Sequence, residues 1–176
     1  GHKALIGAAD LKPIEDRWRA KLTRDDASIL DLVEAEDLEL ATELMTPFAH
    51  WITPTFVPKR FDTWFFLADA PEDQVALHDG SESTDSVWIG AQEAIDEAKA
   101  GKRTLVHATQ KNLELLAEGG TVAGALAQAA SRKVVTVQPW VEARDGKRFL
   151  HIPEGAGYRN LIREMPAAGG VPQTGR

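Results

Sequence analysis

Several side chains between residues 50 and 89 could hold or turn over an anionic ligand, and each also has an ordinary structural use. Arg60 presents a planar fork of donors that fits two phosphate oxygens at once, but it can equally pair with Asp62 or stack on the aromatics around it. Glu82 lies in the polar run His78-Asp79-Gly80-Ser81-Glu82-Ser83, where a carboxylate can ligand a metal ion, polarise a water, or simply be solvated. His78 and Asp79 can act as base, metal ligand or substrate contact, while Asp79-Gly80 is also a common turn pair. His50 and Trp51 suit packing, though an indole beside a pocket can stack on an adenine ring. His107 and His151 have no partner that the sequence identifies. With no cysteine in the chain, thiol nucleophiles, disulfide frameworks and cysteine zinc sites are excluded. G-x-S-x-G, G-x-x-x-x-G-K-[ST] and H-E-x-x-H patterns are also missing, which sets aside the corresponding hydrolase, phosphate-loop and zinc classes.

These residues must be positioned by helices and strands. Pro13, Ile14, Trp18 and Leu22 recur at helical spacing, predicting an amphipathic helix over Lys12 to Leu22 with Pro13 in its first turn. Thr23 or Asp25 is expected to cap a second helix through Ile29 to Val33, and the acids of Glu34 to Glu39 follow as a solvated helix end. Leu44 to Thr53 predicts a strand, and Phe61 to Ala68 a second one, apolar on both faces and so expected to be central and covered on both sides. A turn at Ala70 to Asp73, a return through Val75 to Leu77 and a strand at Ser86 to Ile89 complete this part. Helices are predicted over Ala91 to Ala100 with Gly101 as terminator, from a Thr109 cap to Gly119-Gly120, and from a Thr121 cap to about Ala130. Val134 to Val141 and Phe149 to Ile152 are expected as strands of a hairpin turning at Asp145-Gly146.

The chain has 176 residues, 43% of them hydrophobic, enough for one core, so a single domain over 1–165 with a disordered tail over 166–176 is expected. A net charge of -7 and a pI near 5.2 argue against nucleic-acid and anionic-membrane partners, which need a basic surface. No run approaches the about 18 apolar residues of a membrane span. A signal-peptide pattern is also missing, so a cytoplasmic protein is expected. The sequence opens on Gly1-His2 rather than a methionine, as in a processed or excised segment.

Taken together, His50-Trp51-Ile52-Thr53-Pro54, then Pro58-Lys59-Arg60-Phe61-Asp62-Thr63 with Phe65-Phe66-Leu67-Ala68, then His78-Asp79-Gly80, Glu82 and Asp85-Ser86-Val87-Trp88-Ile89, resemble the C-terminal half of a Nudix hydrolase. The branch they most resemble is that of the coenzyme A diphosphatases and their bacterial relatives. Ala108-Thr109 with Asn112-Leu113 and Leu116 resembles the helix that follows there, and the match runs from about Asp16 to Ile152. The resemblance implies an α/β fold of the α/β/α sandwich type with a mixed sheet, present as a partial domain, plus a C-terminal β-hairpin. It also implies cleavage of the pyrophosphate bond of a nucleoside diphosphate linked to another moiety, with Mg2+ or Mn2+. In that setting Glu82 would serve as catalytic and metal-binding carboxylate, and Arg60, His78 and Trp51 would contact substrate. The family's box, with its Arg-Glu-x-x-Glu-Glu-x-Gly core, matches no segment of this sequence, so this chain is expected to be the part after the box and inactive alone. An N-terminal segment of the same protein, or a second copy, is then the expected partner for the apolar surface left open. The alternative is a non-catalytic Nudix-like module that binds a ligand or a partner.

Overall fold

The computed structural model describes residues 4–71 and 85–166. The chain divides into two compact units, one of residues 4–45, 68–71 and 85–88, the other of residues 46–67 and 89–166.

In the first unit, α1 (Ala8–Thr23) begins a turn earlier than its apolar spacing predicts, leaving Pro13 inside the helix. The second helix, α2 (Ile29–Ala35), is capped by neither Thr23 nor Asp25 but by Ser28, whose hydroxyl accepts from the Asp31 amide while the Asp31 carboxylate accepts from the Ser28 amide. The acid-rich end of α2 is more than a solvated face. Glu36 receives the Arg17 fork at 3.1 and 2.6 Å and the Trp18 indole N–H at 2.6 Å, joining α2 to α1. Those donors hold the Glu36 carboxyl below its ordinary value, the Arg17 bonds contributing most. Ser86 to Ile89, expected as a strand, has no regular structure; Val87 and Trp88 are exposed, so the segment has neither ladder nor apolar cover among the described residues.

The second unit is mixed α/β, as the sequence predicts. Its first sheet has the order β2-β1-β3, with β1 (Thr46–Ile52) antiparallel to β2 (Asp62–Leu67) and parallel to β3 (Thr136–Val137). The central strand is therefore β1, and β2 lies at the edge with Trp64 and Phe66 about half exposed, which corrects the expectation of a two-sided, covered β2. A register shift between Pro47 and Ala49 accommodates the proline, which has no N–H to give to a ladder. The predicted strand over Val134 to Val141 is instead split at Gln138-Pro139 into β3 and β4 (Trp140–Arg144), which belong to different sheets. In the second sheet β4 pairs with β5 (Lys147–His151) across Asp145 and Gly146. Both turn residues have positive φ, as a two-residue hairpin turn of the expected kind requires. The sequence did not predict β6 (Ile162–Glu164), which adds to β5.

Three helices complete the unit. After α3 (Ala91–Lys99) the chain reverses at Gly101, where φ is +74°, as predicted. The next helix, α4 (His107–Ala117), is capped from Val106, so Thr109 lies inside its first turn and does not cap it. Thr121 does cap α5 (Val122–Ser131), accepting from the Gly124 amide at 3.0 Å. Phe48, Trp51, Leu115, Ala129, Val137 and Ile152 form the core, with Val137 fully buried.

The α4–α5 corner turns on contact between backbones. A Cβ at Gly119 would lie 2.6 Å from both N and Cα of Ala125, atoms that cannot swing aside as a side chain would. Gly119→Ala is therefore expected to lower stability by about 1–3 kcal/mol, the usual cost of overpacking, measured by urea unfolding. An unchanged urea midpoint would contradict this close packing.

Candidate ligand-binding cleft

The HWITP and RFDT runs meet on neighbouring strands, and most of their polar atoms are satisfied by each other. His50 Nε2 lies 2.5 Å from Asp62 Oδ1, His50 Nδ1 lies 2.8 Å from Thr136 Oγ1, and the ring stacks on Trp64 at 4.3 Å and 11°. One imidazole thus ties β2, β1 and β3 together. Asp62 pairs with His50, and Arg60 instead donates from Nε to the Thr53 carbonyl at 3.2 Å. The Thr53 hydroxyl accepts from the Phe61 amide, which fixes the return of the chain into β2. Arg60 is exposed, and its terminal nitrogens have no partner among the described residues.

Trp51, the next residue along β1, points to the opposite side. Its indole N–H is shared between Asn112 Oδ1 at 3.2 Å and the Tyr158 hydroxyl at 2.9 Å, and Tyr158 donates in turn to Asn112 at 2.7 Å. The ring is buried in the core and also forms part of the floor of a cleft of about 290 Å³. Thr53, Pro54, Phe61, Thr63 and Phe65 line one side, Val106, His107, Ala108 and Thr109 the start of α4 on the other, and Pro139 and Leu150 close it. The lining is predominantly apolar and aromatic, as pockets for flat organic ligands are, and the volume is near the lower end of the roughly 300–1,000 Å³ typical of such sites. Arg60 is not itself a lining residue, but it bonds to one, Thr53, and precedes another, Phe61.

His107 is the titratable group of this cleft, and the sequence singled out no role for it. It opens α4, its ring meets Trp51 edge-on at 6.1 Å, and its Nδ1 is buried without a hydrogen-bond partner among the described residues. Burial, reinforced by the positive charges of Arg163 and Lys111 and only partly opposed by Glu114, pushes its pKa down to about 4. The ring is therefore neutral at physiological pH. A signal for it was present in the sequence, since Leu105-Val106-His107 leads directly into a helix, but no spacing rule connects it to Trp51.

A larger cavity of about 580 Å³ lies among α3, α4 and residues 157–160. Its charged groups are already paired, Lys111 with Glu114 at 2.8 Å and Arg159 with Glu118 at 2.9 Å within the lining, and Lys99 with Asp96 outside it at 3.2 Å. Of the two, the smaller cleft is the better ligand site. His151, unassigned in the sequence, stacks on Trp140 and approaches Glu142 to 2.9 Å, an ion-pair distance at which the Nε2 geometry is not that of a hydrogen bond. Glu82, His78 and Asp79 lie outside the described residues. Among the described residues no group of three or more His, Asp or Glu side chains is arranged to hold a metal ion. No described helix is long and apolar enough to cross a membrane. No family model, curated protein or solved structure matches the chain.

The depressed His107 pKa makes stability depend on pH in a defined direction. Between the ordinary value of 6.5 and about 4, the unfolded chain binds a proton at this residue that the folded chain refuses. Stability from this group is therefore complete above 6.5, falls as the pH is lowered towards 4, and changes no further below that. Urea midpoints at pH 7.5 and 5 are expected to differ more for the wild-type chain than for His107→Gln. Equal differences would remove His107 as a source of the effect.

Proposed function

We propose that this chain is the substrate-recognition part of a Nudix-type pyrophosphohydrolase, working in the cytoplasm on a nucleoside diphosphate linked to another moiety, of the coenzyme A kind. The observation that carries the reading is an apolar, aromatic-lined cleft with an exposed Arg60 bonded to one of its lining residues, Thr53. A flat base fits the cleft wall formed by Trp51, Phe61 and Phe65, and the diphosphate then meets a charged fork held in place through Thr53. The resemblance of the HWITP and RFDT runs supports the family, and their mutual bonding explains why they would occur together. Glu82 remains this chain's own candidate carboxylate for the reaction. No group of three or more candidate metal ligands occurs among the described residues, and no chemical step is assigned to them.

A second reading, a non-catalytic binding module, draws on the fact that His50, Asp62 and Trp51 are engaged in bonds that hold the fold. Both readings use the same cleft, and turnover separates them. Titration calorimetry with ADP, ADP-ribose and coenzyme A is expected to show binding that Arg60→Ala weakens about tenfold or more, the loss of a charge-assisted contact. Chromatography of the same mixtures with Mg2+ is expected to show no cleavage by this chain alone, and cleavage once the chain is joined to a segment carrying a Nudix box. Persistent inactivity of such a joined protein would favour the binding module. Failure of all three compounds to bind would overturn the nucleotide-binding role of the cleft in either reading.

A further inference from the structure

We infer that His107 sets the ligand specificity of the cleft by donating a hydrogen bond from Nε2 to an acceptor on the edge of a purine base. The inference rests on the nucleotide-binding reading above and adds to it the residue that selects the ring. Three observations lead to it. First, His107 lines the cleft and its Nδ1 is buried with no partner among the described residues, which leaves Nε2 as the polar atom of the ring that can be offered to a ligand there. Second, the proton belongs on Nε2. Nδ1 is the ring nitrogen closer to the backbone, and His107 is the first residue of α4, where the positive end of the helix favours a lone pair over an N–H. A proton on Nδ1 would also be a buried donor with nothing to receive it. Third, the ring carries no charge to attract phosphate, because burial and the charges of Arg163 and Lys111 keep it neutral, with Glu114 opposing them only in part.

The two polar side chains therefore have different tasks. Arg60, exposed and bonded to the lining residue Thr53, suits an anion whatever base it bears. His107, set against Trp51, presents one neutral donor in an apolar environment, where an unmatched partner is costly. Neutral donors of this kind discriminate between ligands that differ by one acceptor atom.

The test compares ADP with its 1-deaza, 3-deaza and 7-deaza analogues, each lacking one ring acceptor, by titration calorimetry on the wild-type chain, His107→Gln and His107→Phe. On the wild-type chain one analogue is expected to bind roughly five- to tenfold more weakly than ADP, the worth of one neutral hydrogen bond. That penalty is expected to persist in His107→Gln, which keeps a donor, and to vanish in His107→Phe, which keeps the ring shape alone. The wild-type comparison does not depend on either variant folding. If ADP binds but all three analogues bind as well as ADP, or if the penalty survives in His107→Phe, the role of His107 is overturned while the binding reading stands. If ADP does not bind the wild-type chain, both fall.

Discussion

The second unit depends on one imidazole. His50 sits on the central strand, opposite Trp64 on one side and Thr136 on the other, and its ring reaches Asp62 diagonally across β2 and Thr136 across β3. The β1–β3 ladder has only two paired positions, too few to fix a parallel strand by backbone bonds alone. A side-chain bond at one of those positions adds a tie where the ladder is weakest. It also holds Val137, the next residue of β3, at the centre of the core. The ring is flanked by stacked Trp64, so an otherwise exposed edge strand has one of its large aromatics engaged.

Because strand side chains alternate, fixing His50 on one face fixes Trp51 on the other. Trp51 then joins β1 to α4 through Asn112 and to the segment after β5 through Tyr158. The same residue is the floor of the cleft, so the cleft is a by-product of core packing at the seam between β1 and the start of α4. This gives it a rigid base. It is also why the groups that keep unspent hydrogen-bonding capacity, Arg60 and His107, belong to the connection before β2 and to the first turn of a helix rather than to the sheet interior.

What the sequence made legible is what is encoded locally. Asp145-Gly146 adopts the left-handed pair that its hairpin needs, Gly101 ends α3, and Thr121 caps α5, because in each the signal and its effect lie within a few residues. Pairings between distant segments were not legible in the same way. Val134 to Val141 has the composition of one strand, but Pro139 and the geometry of two separate sheets divide it. Thr109 looks like a cap by residue type, yet the helix had already begun at His107. The third strand of the second sheet is short and exposed, with no alternation to betray it. Its place is set by β5, which no local rule could supply.

The aromatic and charged richness of residues 50 to 68 suggests an active site, and the geometry gives most of it a different use. A cluster of His, Asp, Trp and Thr side chains on adjacent strands can be reactive only if some polar atom is left unmatched and within reach of a ligand. Here the His50 nitrogens are both within hydrogen-bond distance of protein oxygens, and the Trp51 N–H has two acceptors. Neither can serve a ligand without first giving up a bond that the fold uses. His107 is the contrary case. It stands outside the conspicuous run, lines a cavity, and has its charge suppressed by burial. Residues that look chemical in a sequence are thus of two kinds, those whose capacity is spent on assembly and those whose capacity is kept, and hydrogen-bond accounting atom by atom separates them.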